Sequence, residues 1–200
     1  MNSGRVCIAL AMLAMHITAN AAVVYREADD GELSSNGLAP TAIAIGAGSN
    51  QIFGRMGGGG GGADRDYFVV TVPTDMRLTA LNLLGETRVI GVSFIGMQAG
   101  SQLTVNPLAG SANGLLGWYH YGASDIGTDI LPAIGRGFGA SGFTPPLSAG
   151  SYAFWLQETG TGSVTYGLDL QVQPLQAVPL PSALGSFALA LGLLRRRRSS

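Results

Sequence analysis

Val164, Tyr166, Leu168, Leu170 and Val172 alternate with Thr165, Gly167, Asp169, Gln171 and Gln173. Successive side chains of a strand point to opposite faces, so this period of two marks a half-buried strand. Outside the two ends, no window sustains the 3.6-residue period of an amphipathic helix, which argues against a helical bundle or a coiled coil. Composition points the same way: 31 of 200 residues are glycine, 46% are hydrophobic and only 12% are charged. Domains ordinarily carry about a quarter charged residues, and disorder needs low hydrophobicity with high net charge. At this length the reading is one glycine-rich, turn-rich β domain.

Further strand candidates are Val23–Arg26, Ala42–Ile45, Tyr67–Val72, Leu78–Leu84, Val89–Met97, Gln102–Val105, Leu115–Tyr121 and Tyr152–Gln157. The turn Gly160-Thr161-Gly162 is expected to join the last of these to the 164–173 strand as a hairpin. About eight short strands broken by Gly, Pro, Asn and Asp predict an all-β fold, an antiparallel sandwich or jelly roll. The six glycines Gly57–Gly62 offer nothing to pack and are expected to form a mobile loop. A phosphate-binding loop is excluded, because Ala63-Asp64-Arg65-Asp66 follows where a helix with Lys-Ser/Thr is needed. Gly137-Phe138-Gly139-Ala140-Ser141-Gly142 fits the dinucleotide pattern by letter, yet Pro145 and Pro146 arrive where its helix should open.

Both ends read as addresses. Arg5, the apolar run Val6–Met15 and the small-x-small triplet Ala19-Asn20-Ala21 form a secretory signal over residues 1–21, with cleavage after Ala21. The lone cysteine, Cys7, lies inside it, so the exported body, residues 22–177, has no thiol for disulfides, metal binding or nucleophilic catalysis. At the other end, residues 178–200 run Val178-Pro179-Leu180-Pro181, an apolar stretch Ala183–Leu194, then Arg195, Arg196, Arg197 and Arg198. Twelve apolar residues make roughly 18 Å of helix against the ~30 Å hydrocarbon core. The arginines would hold that end in the cytoplasm. A signal helix and a hydrophobic helix are therefore expected to flank the sandwich.

Proline motif, apolar helix and arginine cluster in that order resemble the PEP-CTERM sorting signal of Gram-negative bacteria in a VPLP form, with Leu180 where glutamate is usual. The resemblance implies recognition by an exosortase, a membrane transpeptidase or protease, at Val178, Pro179, Leu180 and Pro181, with the four arginines as topology stop. It also implies an inner-membrane precursor that is then moved to the cell surface or the exopolysaccharide matrix of a biofilm. Whether the tail is removed or retained stays open. Within the body, Asp64–Pro73 and Leu147–Leu156 resemble segments of the bacterial pre-peptidase C-terminal type of β-sandwich. That resemblance spans roughly residues 64–172 and implies a noncatalytic accessory domain. Val89–Pro146 is longer than that fold usually holds, so extra strands or loops are expected there.

The chain has no lysine, and five of its eleven arginines sit in the two ends. Between Ala22 and Ala177 six arginines meet all twelve acids, a net charge of −6. Phosphate backbones are bound by clustered cations, so nucleic acid is not an expected partner. Once the signal is removed, one histidine remains, His120 in Trp118-Tyr119-His120-Tyr121. Ser124 and Asp125 lie close in sequence, but no Gly-x-Ser-x-Gly elbow exists and the chain is read as noncatalytic. One histidine and no cysteine make zinc a poor fit. Calcium prefers carboxylate oxygens, for which Asp29, Asp30 and Glu32 and then Asp64 and Asp66 are candidates, the alternative being solvated turn formers. Trp118, Tyr121 and Trp155 are candidates for a sugar-stacking face, although half of such aromatics should face the core.

Two functions follow as expectations. The first is an exported, noncatalytic surface or matrix protein. The alternative is a calcium-assisted carbohydrate-binding module acting on extracellular polysaccharide.

Overall fold

The computed structural model describes residues 21–58 and 64–175. In chain order the elements are β1 (Ala22–Arg26), α1 (Glu27–Asp30), β2 (Thr41–Ile43), β3 (Gly48–Gly58), β4 (Arg65–Val72), β5 (Met76–Leu83), β6 (Val92–Ala99), β7 (Gly117–Gly122), α2 (Leu131–Ile134), β8 (Gly150–Glu158) and β9 (Gly162–Pro174). The nine strands form two sheets, ordered β1-β3-β9-β5 and β2-β4-β8-β6-β7. Alternating residues of both sheets, among them Ile52, Met56, Phe68, Val70, Leu81, Ile95, Phe154, Leu168 and Leu170, meet in one buried cluster. The all-β fold read from the sequence is thus present, with sandwich-like packing.

Three expectations are corrected. The sheets are mixed rather than antiparallel, because the short strands β1 and β2 pair in parallel with β3 and β4. β8 and β9 do not form a hairpin: β8 lies between β4 and β6 in the five-stranded sheet, and β9 between β3 and β5 in the other. The turn at Gly160–Gly162 carries the chain from one sheet to the other instead of back along β8. Gln102–Val105 is not a strand. Leu103 and Val105 instead pack on the outer face of the five-stranded sheet.

Strand β3 was not foreseen. Its alternation is Asn50, Ile52, Gly54, Met56, and Gly54 interrupts the apolar series. Tyr166, directly across the ladder, occupies the space that glycine leaves. Gly57 and Gly58, expected in a loop, continue β3 against Ser163 and Gly162, since ladder hydrogen bonds need no side chain. Gly59–Gly62 lie outside the described residues.

The long middle, Val89–Pro146, holds β6, β7, a 3-10 turn at Ala123–Asp125, the short helix α2 and loops. α2 packs across β5 and β7, the edge strands of the two sheets, and sends Leu131 and Ile134 into the core. The free edge of β5 is covered by residues 127–130 and 147: the N–H groups of Leu83, Leu78 and Ile130 bond to Thr128, Leu147 and Leu81 at 2.9–3.1 Å. An edge hidden in this way offers no template for aggregation. Among the described residues no helix is long and apolar enough to cross a membrane. The expected signal residue Ala19, the sorting residues Val178–Pro181 and Arg195–Arg198 lie outside the described residues.

Candidate functional site

The outer face of the five-stranded sheet carries a row of aromatics, one strand after another: Tyr67 on β4, Trp155 on β8, Phe94 on β6, and Trp118 with His120 on β7. Register places Tyr67 opposite Trp155 and places Gly96 opposite both Trp155 and Trp118. A side chain at 96 would keep the neighbours apart. Glycine there lets the Phe94 ring lean over the strand, where an added Cβ would come within 2.9 Å of it. Phe94 consequently sits 4.5 Å from the Trp155 ring and 6.1 Å from Trp118, stacked on the latter, while His120 packs edge-on at 5.2 Å from Trp118. Such pairs add about 0.5–1.5 kcal/mol each beyond their buried area.

Loops from the long middle wall this row into an open cleft of about 520 Å³. Asn106, Ser111, His120, Gln157 and Thr159 supply hydrogen-bonding groups, and among the described residues no Asp, Glu or Arg lines it. The Trp118 indole donates to the carbonyl of Phe138 at 2.9 Å, fixing the wall, yet the Phe138 ring itself is 91% exposed. Of the expected stacking residues, Trp118 and Trp155 line the cleft, and Tyr121 does not. Alternation along β7 turns Tyr121 inward with Tyr119, and it is fully buried in the core. His120 has no catalytic partner in Asp125, whose carboxylate accepts from the Tyr119 hydroxyl at 3.1 Å and the Gly122 N–H at 2.8 Å.

The second cluster lies between the sheets, at the β1–α1 end. Alternation on β4 puts Asp66 on the same inward face as Phe68, Val70 and Val72, and it is 0% exposed. The other buried acids are satisfied. Glu158 accepts from the Ser93 hydroxyl at 2.7 Å and the Gly160 N–H at 2.7 Å, and Asp169 accepts from Ser49 at 2.7 Å and Gln171 at 2.6 Å. Neither Asp66 oxygen has a hydrogen-bond partner, although the Tyr166 hydroxyl faces it and is itself unpartnered. Burial, then the nearby negative charge of Glu27, push the Asp66 carboxyl up to about 8, against the Tyr166 hydroxyl, with Asp64 and Glu32 adding to the rise. Tyr166 is raised well above its ordinary value by burial and then by Asp66.

Glu27 is held in place from two sides. Its Oε1 accepts the Leu33 N–H at 3.2 Å and its Oε2 the Arg55 N–H at 2.6 Å. After α1, Gly31 adopts φ 99°, a value that favours glycine, and its carbonyl takes the Tyr25 hydroxyl at 2.8 Å. That turn returns the chain so that carboxylate oxygens of Glu27, Glu32 and Asp66 lie within 4.8 Å of one another. Asp29 and Asp30, neighbours of Glu32 in sequence, point elsewhere and do not join it as ligands: Asp29 meets Arg26 at 3.7 Å, and Asp30 accepts the Arg26 N–H at 2.7 Å. Asp64 stays close enough to add charge to Asp66 and Glu27 without joining the trio. Glu27 is the member that sequence reasoning missed.

No protein-family model, curated protein or solved structure matches this chain.

Proposed function

We propose that this chain is an exported, noncatalytic β-sandwich of the cell surface or exopolysaccharide matrix, and that it binds neutral carbohydrate in the aromatic cleft. The uncharged cleft floored by Phe94, Trp118 and Trp155 carries the reading. The apolar face of a sugar ring stacks on an aromatic plane, and its hydroxyls need donors and acceptors at the rim, here Asn106, Ser111, His120 and Gln157. Among the described residues no arginine lines the cleft to meet an acidic or phosphorylated ligand.

Retention on a panel of insoluble neutral polysaccharides tests this. Phe138→Ala, a change at an exposed ring, should leave the melting temperature unchanged and weaken retention several-fold, and Trp118→Ala should abolish it. A protein that passes through every polysaccharide, or a Trp118→Ala variant that still binds as the parent does, overturns the proposal.

Export and sorting rest on the terminal motifs, in which Val178–Pro181, an apolar stretch and Arg195–Arg198 follow in order. Intact mass of protein recovered from its host, with and without an exosortase-type enzyme, reads both ends together. A chain starting at Ala22 and ending near Val178–Pro181 only when that enzyme is present is the expected result. A chain retaining Arg198 in both cases would instead mean a permanent anchor.

A further inference from the structure

We propose that Glu27, Glu32 and Asp66 bind one calcium ion, which ties the β1–α1 segment to β4 between the sheets. The site lies on the inner side of the five-stranded sheet, away from the aromatic cleft, and does not depend on the carbohydrate reading.

Several observations meet here. Asp66 is fully buried with both oxygens unpartnered, and it is aimed at two further carboxylates. An uncompensated buried carboxylate is costly, and a bound cation is one way such a group is satisfied. Among the described residues no arginine forms an ion pair with the trio, and the neighbouring Arg65 donates its Nε to Gln157 at 2.7 Å. Arg26 is turned to Asp29 and lies over the Phe53 ring at 4.0 Å, while the Arg55 Nε donates to Ser163 at 2.8 Å.

The donor set is all carboxylate oxygen, which suits a hard cation rather than zinc or copper. Calcium–oxygen bonds of about 2.3–2.6 Å allow ligand oxygens on opposite sides of the ion to stand about 5 Å apart. No two oxygens of the trio stand further apart than 4.8 Å, which is inside that limit. Magnesium demands near-ideal octahedral geometry at about 2.0–2.1 Å and gives up its waters reluctantly, so a trio of protein carboxylates suits it less well. Glu27, Glu32 and Tyr166 also line a surface cleft of about 470 Å³, which gives the ion a route from solvent and room for the waters that complete its shell. The two backbone N–H groups on Glu27 leave each of its oxygens further acceptor capacity, so orientation and ligation do not compete.

The experiment is calorimetric titration of CaCl2 into chelator-treated full-length protein, paired with melting curves. One calcium per chain is expected, with a higher melting temperature at saturation and at least tenfold weaker binding of magnesium. Asp66→Asn should remove the calcium-induced rise while leaving the calcium-free melting temperature equal or higher, because it replaces a buried unpaired acid. Glu32→Gln, at an exposed position, should weaken calcium at least tenfold with no change in calcium-free stability. Asp29→Asn should bind as the parent does. The proposal fails if about 10 mM CaCl2, above the range of weak extracellular calcium modules, produces neither heat nor a melting shift. It fails equally if Asp66→Asn and Glu32→Gln bind calcium as the parent does, which would place the ion elsewhere.

Discussion

Gly54→Ala isolates the contact that makes β3 a strand. Gly54 lies opposite Tyr166, and a Cβ there would sit 2.9 Å from the ring Cε1 and closer still to Cζ and the hydroxyl. The ring is 1% exposed and packed in the core, so it has no free direction in which to move. Overpacking of this kind costs about 1–3 kcal/mol, and a rigid ring belongs at the upper end. For a domain of this size, each kcal/mol moves the melting temperature by roughly 2–4 °C, giving a fall of about 6–12 °C. Tyr166→Leu removes the atoms that clash. The φ of Gly54 is not in the left-handed region, so in the leucine background the added methyl meets no strain. There Gly54→Ala should be neutral or should stabilise by about 0.4–1 kcal/mol through the unfolded chain. Urea denaturation of the four members of the cycle at one pH measures the coupling, expected at roughly 3 kcal/mol. Equal cost of Gly54→Ala in both backgrounds would refute the argument that the tyrosine requires the glycine.

Calcium-free protein should lose stability as pH rises from about 4 to about 8. Asp66, whose ordinary value is 3.8, is raised to about 8 in the fold, so the native state holds a proton that the unfolded chain gives up across this window. The slope is at most about 1.4 kcal/mol per pH unit, and stability from this group is greatest below the unfolded value and gone above the folded one. Asp66→Asn should flatten the profile of melting temperature against pH, and parallel profiles would count against the buried-acid account. Gly31→Ala should weaken calcium more than it lowers calcium-free stability, since it strains the turn that returns Glu32 to Glu27, and titration beside melting separates the two effects. Gly96→Ala should displace the Phe94 ring from its place between Trp155 and Trp118, lowering polysaccharide retention and changing the near-ultraviolet circular dichroism together.

Strands whose apolar residues alternate without a break were legible in the sequence. The 164–173 segment and Tyr67–Val72 fall within β9 and β4, and the inward face of Asp66 follows from the same alternation as Phe68 and Val70. β3 was not legible, because its pattern is completed by a ring from another strand. Strand partners were also hidden: a Gly-x-Gly turn looks the same whether the chain doubles back within a sheet or crosses to the opposite one. The aromatic cluster could be seen around Trp118, but its centre, Phe94, owes its role to the missing side chain of Gly96 and to register. Glu27 gave no signal, since its closeness to Asp66 depends on a turn at Gly31 and on an N–H from β3.

The crossing at Gly160–Gly162 also governs the order in which the molecule can assemble. β9 joins β3 to β5, and β8 joins β4 to β6. Until the last two strands are available, one sheet consists of two separated pieces and the other lacks its middle. Almost all the pairing is therefore between residues far apart in sequence, a topology that folds slowly. A chain that has emerged only as far as residue 149 lacks both β8 and β9, and with them the strand that closes the middle of each sheet.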